Sequence, residues 1–203
     1  MKIDPQKALI VILPALLFSV GCMSRKTIVK DTFLLDVARE DSASQKTSAG
    51  IVAVLPFSIA PAFEGRGVVL RIGENQYESD FYNEYFISPS QMIADQTRHW
   101  MSESGLFAQV LLPASSVPPT HVLEGHISKM FLDMRDSEKP RAELEVTFFL
   151  VELQKRNRVI QFRNTYAASH RLQNSSRRDY IAAQGQCLQD ILGNLERDLA
   201  SKL

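Results

Sequence analysis

The stretch RAELEVTFFLVEL, residues 141–153, decides the fold because its polar and apolar side chains alternate as in a half-buried strand. Every second residue from Leu144 to Leu150 is apolar, whereas Glu143 and Glu145 fall on the other face. The last residues of the stretch add apolar side chains to that second face as well. The pattern therefore predicts a strand with one buried face at its start and two near its end.

The segment RVIQFRNTYAASH, residues 158–170, has the same period of two, and QKRN at 154–157 has the polar composition of a turn. Two strands so close in sequence pair antiparallel. We therefore predict a long hairpin over 144–169. The apolar face of its second strand is expected to carry Ile160, Phe162, Tyr166 and Ala168.

Six further segments also have the composition of strands. One of them, GIVAVLPF at 50–57, has apolar side chains at successive positions, so we predict a central strand buried on both faces. Gly73, Glu74 and Asn75 have the turn chemistry of a hairpin and join two others. The six are TFLLDV at 32–37, GIVAVLPF at 50–57, GVVLRIG at 67–73, QYESDFY at 76–82, LFAQVLL at 106–112 and THVLEGHISKMFLDM at 120–134.

The first predicted helix, over 89–104, has signals at both ends. Ser88 is a suitable N-cap, Pro89 fits the first helical position, and Gln91 completes a capping box. Gly105 then provides the left-handed residue at which a helix ends.

The second predicted helix begins near Arg177 and closes the chain. Apolar residues recur from Ile181 to Leu199 at intervals of three and four, which predicts an amphipathic helix that covers the sheet. Cys187 is expected to be a buried residue of this helix. Strands that alternate with two helices and hairpins predict the α/β class, with a mixed sheet in a single domain.

The N-terminus has the order of regions found in a secretory signal. Lys2 and Lys7 precede an apolar run from Ala8 to Val20, which is shorter than the about 20 residues that a membrane-spanning helix needs. A small residue then precedes Cys22, as in bacterial lipoprotein signals, in which the cysteine is acylated and becomes the first residue. An ordinary signal peptide that contains a cysteine is the alternative.

On the lipoprotein interpretation, residues 1–21 are the signal peptide, 22–31 the lipid anchor and tether, and 32–203 the folded domain. Several acyl chains on Cys22 would make membrane attachment effectively permanent. Met23 is not the Asp that favours retention at the inner membrane in enteric bacteria. We therefore expect the outer membrane, with the domain facing the periplasm.

The composition is typical of one globular domain and gives no sign of nucleic-acid binding. Basic and acidic side chains are equal at 23 each, and 45% of the residues are hydrophobic. If Cys22 is acylated, Cys187 is the remaining cysteine, so no intrachain disulfide is expected.

A longer series of features runs through most of the chain. An early PF strand and a strand that ends in Arg precede an aromatic and acidic segment, a Pro, a helix with a Trp and a short LF strand. The residues concerned are Pro56, Phe57, Arg71, Tyr77, Asp80, Tyr82, Tyr85, Pro89, Arg98, Trp100, Leu106 and Phe107. Together with HVLEGHISKM and AELEVTFFLVE downstream, they resemble the ABC-type transport auxiliary lipoproteins, the paraquat-inducible protein C-like family, over roughly 32–200.

The resemblance implies a mixed, mostly five-stranded sheet flanked by helices, as in anticodon-binding-like folds. It also implies a non-enzymatic accessory subunit of a mammalian-cell-entry (MCE) type ABC transporter, with permease, ATPase and MCE-domain partners, that moves lipids across the bacterial envelope. A lipid ligand and a homo-oligomer are compatible with that role. The alternatives are an outer-membrane assembly or structural lipoprotein without an ATPase partner and, less favoured, a periplasmic hydrolase.

The histidines do not form a metal-binding pattern. His121 and His126 are five residues apart on one predicted strand and face opposite ways, whereas Glu124 and His126 share a face. A zinc site needs at least three protein ligands, and the pattern offers no third one. We predict neither a metal nor a cofactor.

Catalytic motifs are also missing from the sequence. His99, Ser102 and Glu103 lie close together on the first predicted helix, but this spacing is commonplace on helices. The sequence has no nucleophile elbow, H-E-x-x-H, P-loop or dinucleotide fingerprint. We predict that the protein is not an enzyme.

A cluster of aromatic residues in and just after the predicted strand 76–82 has two interpretations. Alternation favours core packing of one face, whereas a contact patch for a partner or a lipid tail would expose the rings. Arg177 and Arg178 likewise are either solvated or mark an acidic partner, since they oppose the dipole at a helix start. The cluster comprises Tyr77, Phe81, Tyr82, Tyr85 and Phe86, with Glu78, Asp80 and Glu84 among them.

Overall fold

The computed structural model describes residues 29–39, 49–155, 157–173 and 176–203. The predicted signal peptide 1–21, Cys22 and most of the predicted tether lie outside the described residues. The strands are β1 Asp31–Phe33, β2 Ile51–Val54, β3 Ser58–Ile59, β4 Gly67–Arg71, β5 Tyr77–Tyr85, β6 Gln109–Leu111, β7 His121–Asp133, β8 Arg141–Leu153 and β9 Arg158–Arg171. The helices are α1 Pro89–Ser104 and α2 Arg177–Ala200, and a 3₁₀ turn spans Pro61–Phe63.

Strand β7 lies at the centre of the sheet. One of its edges pairs antiparallel with β8 along nearly the whole strand, and the other is shared by β2, β3 and β4, all parallel to it. The order is β9-β8-β7-β2-β6 at one end of the sheet and β9-β8-β7-β4-β5-β1 at the other. The prediction of a single α/β domain with a mixed sheet and a C-terminal helix is confirmed.

Both helices pack on one face of the sheet, which corrects the prediction for 50–57. In β2, Val52 and Val54 are buried with the helices, whereas Ile51 and Ala53 on the other face are only half-buried. This strand pairs on both edges, with β7 and with β6, so it is interior to the sheet as predicted, but it is not buried on both faces. A run of apolar residues shows that a strand is largely covered, but it does not show how many helices cover each face.

The predicted hairpin 144–169 is confirmed, with its strands extending over Arg141–Leu153 and Arg158–Arg171. The prediction that Ile160 lies on the apolar face of the second strand is wrong. Leu150 pairs with Phe162, but the next residue, Val151, pairs with Ile160, so a bulge shifts the register by one residue. Because a one-residue shift moves side chains to the opposite face, Ile160 is 59% exposed whereas Phe162 is buried.

The predicted strand 32–37 is only partly formed, because the chain leaves the sheet after Phe33 and crosses onto the helices. Leu35 and Val37 are buried there, and the amide of Leu35 lies 3.2 Å from the Met92 sulfur. The amide of Val37 donates to Gln96 Oε1. Packing against the helices thus replaces strand pairing for this segment.

A buried ion pair fixes the end of this segment. Arg39 donates to both carboxylate oxygens of Glu196 on α2, at 2.9 and 2.7 Å, and Trp100 Nε1 on α1 donates to the same carboxylate at 2.7 Å. Both charged side chains are less than a tenth exposed. The pair therefore connects the N-terminal segment to both helices. Removing one partner would leave a buried charge without its counter-ion, which strongly destabilises a protein.

The first helix begins and ends as its capping residues predict. Ser88 accepts a hydrogen bond from the Gln91 amide, and Gly105 ends α1 with a φ of 74°. Ser176 caps α2, and Asp179 adds an acidic side chain to a first turn that also contains Arg178. Cys187 is fully buried as predicted, and burial raises the pKa of its thiol to about 12.

Gly125, in the middle of β7, is required by the ring of Phe57. A Cβ built at Gly125 would lie 2.6 Å from two ring carbons of Phe57, which itself packs edge-on against Phe148. We expect Gly125→Ala to lower the free energy of unfolding by about 1–3 kcal/mol through overpacking, as measured by urea denaturation. The double variant with Phe57→Leu should lose less free energy of unfolding than the two single variants lose in sum, because the smaller side chain leaves room for the added methyl group.

Gly65 provides a matched control, because nothing lies within 4 Å of a Cβ built there. Gly65→Ala should leave stability nearly unchanged. Equal unfolding energies for the Gly125 and Gly65 variants would contradict the proposed contact.

Candidate partner-binding surface

The structure divides the predicted aromatic cluster among different environments. Tyr85 belongs to the core, where its hydroxyl donates to the hydroxyl of Tyr180 on α2 at 3.2 Å. Burial raises the pKa of both tyrosines above their ordinary value. Core packing is therefore the correct interpretation for Tyr85, which ties β5 to the C-terminal helix.

Tyr77, at the start of β5, joins a small cluster on the sheet face away from the helices. Its ring packs edge-on against Phe131 at 5.7 Å, and Phe131 stacks on Phe63 at 5.9 Å. The guanidinium of Arg71 lies 5.7 Å from the Tyr77 ring centroid. These contacts give Tyr77 a structural role, although 43% of the residue is exposed.

Phe81 and Tyr82 are exposed, as the contact-patch interpretation requires. Each is 58% exposed, and their rings meet edge-to-face with centroids 5.4 Å apart. Two large rings in contact with each other and with solvent form a ready apolar surface for a partner. We call Phe81, Tyr82 and the adjoining Lys30 the aromatic patch. Phe86, just after the strand, is also 59% exposed.

An irregularity in β5 places the two rings at the surface. Gly67 pairs with Glu84 and Val69 with Ser79, so residues 80–83 stand opposite Val68 alone. The side chain of Asp80 fixes this extra backbone by accepting hydrogen bonds from the amides of Tyr82 and Asn83, at 2.9 and 3.1 Å, and from Asn83 Nδ2. Asp commonly forms such turns with amides two residues on.

Charged side chains surround the patch. The Lys30 ammonium lies 5.0 Å from the Phe81 ring centroid and pairs with Glu84 at 3.2 Å. Arg66 pairs with the same carboxylate at 2.9 Å and donates to the Phe86 carbonyl. The patch therefore has two aromatic rings beside Lys30 and Arg66, whose charges Glu84 partly neutralises; aromatic residues and Arg are enriched at protein interfaces.

The histidines singled out in the sequence have separate neighbours. His121 Nδ1 lies 2.9 Å from Thr120 Oγ1, and His126 Nδ1 lies 2.8 Å from Ser58 Oγ on β3. Among the described residues, no group of three His, Cys, Asp or Glu side chains is placed to hold a metal ion. These histidines therefore act as single hydrogen-bonding groups on the strands.

The residues considered for catalysis on α1 are not arranged as a triad. His99 Nε2 lies 3.3 Å from Glu103 Oε1, but the Ser102 hydroxyl donates to the backbone carbonyl of His99 and not to its ring. Both His99 and Glu103 have side chains about half exposed. The Ser102 hydroxyl is therefore not activated by the His99 ring, as a nucleophile and its general base require.

Comparison with protein-family models and with curated proteins finds no match for this chain. Several solved structures share its fold, among them the following two. Protein XCC0632 from Xanthomonas campestris, of family DUF330, has a TM-score of 0.70 at 14% identity, and the alignment covers 82% of this chain and 92% of that one. An uncharacterized protein has a TM-score of 0.64 at 12% identity, over 84% and 99% of the two chains. At these identities the likeness establishes the fold alone.

Lipoproteins also occur among the similar structures. Lipoprotein GNA1162 from Neisseria meningitidis has a TM-score of 0.43 at 11% identity, with 75% of this chain and 99% of that chain covered. A score this low carries no argument about function. Within the described part of the chain, neither helix is long and apolar enough to cross a membrane.

The turn at Asp80 provides a direct test of the patch geometry. Asp80→Ala removes the acceptors for the Tyr82 and Asn83 amides, so these amides should exchange hydrogen faster in native-state exchange measurements. The free energy of unfolding should fall by only about 1 kcal/mol, because each hydrogen bond is partly replaced by water. Asp80→Asn keeps one acceptor oxygen and should retain most of the protection. Unchanged exchange in Asp80→Ala would contradict this account of the turn.

Proposed function

We propose that this chain is a non-enzymatic, lipid-anchored accessory subunit of an MCE-type ABC transporter that moves lipids across the bacterial envelope. The observation that carries the proposal is the exposed aromatic patch directly beside the start of the folded domain. The resemblance of residues 32–200 to transport auxiliary lipoproteins supplies the class of partner. In this role the chain belongs to a complex with permease, ATPase and MCE-domain subunits, and it binds a part of that complex that is exposed in the periplasm.

The position of the patch suits a membrane-proximal contact. Lys30 belongs to the patch, and β1 immediately after it pairs with the β5 residues that follow the rings. Lys30 follows Cys22 by eight residues, a length that spans at most about 29 Å when fully extended. With acyl chains on Cys22, the patch stays within that distance of the membrane surface. We place the protein at the outer membrane, facing the periplasm.

A binding role accounts for the arrangement of polar groups better than hydrolysis does. The side chains considered for catalysis are exposed or bonded to single neighbours. Phe81 and Tyr82, by contrast, form an exposed aromatic surface. Surfaces with exposed aromatic rings contribute binding energy without any chemistry. We therefore assign the chain a role in assembly of the transporter and not in catalysis.

Replacing the two rings tests the proposed contact. Phe81→Ala together with Tyr82→Ala should weaken partner binding by about 2 kcal/mol or more, since aromatic anchors dominate interface energies. The measurement is mild crosslinking of native membranes, extraction through a tag placed after Leu203, and mass spectrometry of the recovered proteins. Ile160→Ala is the matched control, because Ile160 is 59% exposed on β9, away from the patch.

The unaltered chain should recover transporter subunits, the ring variant should lose them, and the control should keep them. Equal recovery by the ring variant would overturn the contact. Recovery of only barrel proteins or cell-wall fragments by the unaltered chain would favour the assembly or structural lipoprotein instead.

The anchor is tested by labelling cells with an alkyne fatty acid. Cys22→Ser should abolish the label and leave residues 1–21 attached, because lipoprotein processing requires the acylated cysteine. Cys187→Ser should retain both the label and the cleavage. An unlabelled native protein, cleaved elsewhere, would instead establish an ordinary signal peptide.

A further inference from the structure

The outer edge of β9 is the longest unpaired strand edge among the described residues. β9 bonds to β8 along one side, and no described strand pairs with its other side. The sheet's other two ends are β1 and β6, which have only three residues each, whereas β9 has 14. Proteins usually keep an edge strand short, since its free amides and carbonyls can pair with another chain. A long free edge is therefore a place where a further strand can add.

The regular part of this edge is residues 163–171, which we call the β9 edge and which follows the bulge described above. The amide of Thr165 donates to Asn164 Oδ1 and so points away from β8. The amide of Leu172 instead donates to the Pro140 carbonyl, just before β8. Because amides point to alternate sides along a strand, those of the odd-numbered residues in 163–171 point outward.

The β9 edge is basic. It contains the exposed Arg163 and Arg171 and has neither Asp nor Glu. No ion pair joins either guanidinium to a described carboxylate. Arg163 lies 5.4 Å from the Phe149 ring centroid, and Arg171 donates to the backbone carbonyl of Glu138. The charge of both side chains is therefore available to an incoming carboxylate.

A hollow of about 490 Å³ lies between this edge and α2. Three consecutive residues of β9 line it, and since successive side chains point to opposite faces, the hollow follows the backbone edge. Asp190 pairs with His170 at 2.7 Å, whereas Arg197 is exposed and forms no ion pair with a described carboxylate, so the hollow is also basic. It is lined by residues 167–169 and by Trp100, Asp190, Gly193, Asn194 and Arg197.

A second copy of this chain does not match the β9 edge in charge. If two such edges paired antiparallel about Ala167, Arg163 of each copy would stand opposite Arg171 of the other. Like charges directly opposite in a sheet are destabilising, whereas opposite charges contribute favourably. An added strand with carboxylates at these two positions would replace both repulsions by attractions.

We propose that the β9 edge binds an extended acidic segment of another protein as an added strand. The main chain of that segment bonds to the outward amides and carbonyls of residues 163–171, and its carboxylates lie beside Arg163 and Arg171. Its side chains on the helix side enter the hollow, where they determine specificity. The β9 edge and the aromatic patch are at opposite ends of the strand order β9-β8-β7-β4-β5-β1. The proposal therefore does not depend on the transport role.

The test titrates full-length protein in phosphatidylcholine nanodiscs with a fluorescent nine-residue peptide of alternating Val and Thr that has Glu at both ends. The two Glu residues then have the spacing of Arg163 and Arg171. We expect saturable binding that weakens as salt is added, because the charges are exposed. The outward amides of Ala167 and Ser169 should exchange hydrogen about tenfold more slowly in the complex. The control peptide, with Lys at both ends, should bind about tenfold more weakly.

Two variants separate strand addition from simple attraction of charge. Ala167→Pro removes one outward amide but none of the bonds to β8, so it should weaken binding about tenfold and leave the free energy of unfolding nearly unchanged. Ala167→Ser keeps that amide and is the matched control. Arg163→Gln combined with Arg171→Gln should weaken binding of the Glu peptide about threefold to tenfold and remove most of its salt dependence.

Equal binding of the Glu and Lys peptides, or binding that Ala167→Pro leaves unchanged, would overturn the proposal. In cells, a benzophenone amino acid at position 167 should crosslink to an acidic segment of another protein, and the same amino acid in place of Val159, before the bulge, should not. A crosslink from position 167 to a second copy of this chain, to a segment without acidic side chains or to nothing would overturn the proposal as well. Because the peptide titration contains no transporter subunits, its outcome is distinct from that of the ring variant.

Discussion

The fold depends on the pairing of β7 with β8 on one edge and with three short parallel strands on the other. β7 has 13 residues, whereas β2, β3 and β4 have four, two and five. The chain between the short strands keeps bonding to β7, since the amides of Leu55 and Ala60 donate to the carbonyls of Leu123 and Ile127. Short parallel strands have few contacts of their own, so the long β7–β8 pair supplies the template on which they assemble.

This arrangement divides the sheet into two ends that carry different surfaces. β6 extends one end from β2, and β5 with β1 extends the other from β4. The aromatic patch lies at the second end, where β1 meets β5. The helices close the core between the two ends, and the Arg39–Glu196 pair holds the N-terminal segment against both helices.

Local signals predicted most of the secondary structure. The bounds of α1 follow from Ser88 and Gly105 because capping depends on residues within one turn of the helix end. The β8–β9 hairpin follows from a period of two that is maintained over many residues. Where prediction failed, a neighbouring segment had changed the outcome: a bulge moved Ile160 to the exposed face, and the helices drew the chain after Phe33 away from the sheet.

The candidate surfaces were less accessible to prediction than the fold. The sequence showed a dense aromatic segment but could not separate buried Tyr85 from exposed Phe81 and Tyr82, because strand alternation is interrupted by the turn at Asp80. An Asp within a strand-like run is the one signal that would have suggested the turn.

The α/β class, the bounds of α1, the long hairpin and the expectation of an anchor at Cys22 follow from the sequence alone, since each depends on neighbouring residues or on short periodic patterns. The covered face of each strand and the aromatic rings that reach solvent follow only from the tertiary structure. These properties depend on the register between strands and on contacts between segments far apart in the chain, and neither is encoded in local periodicity.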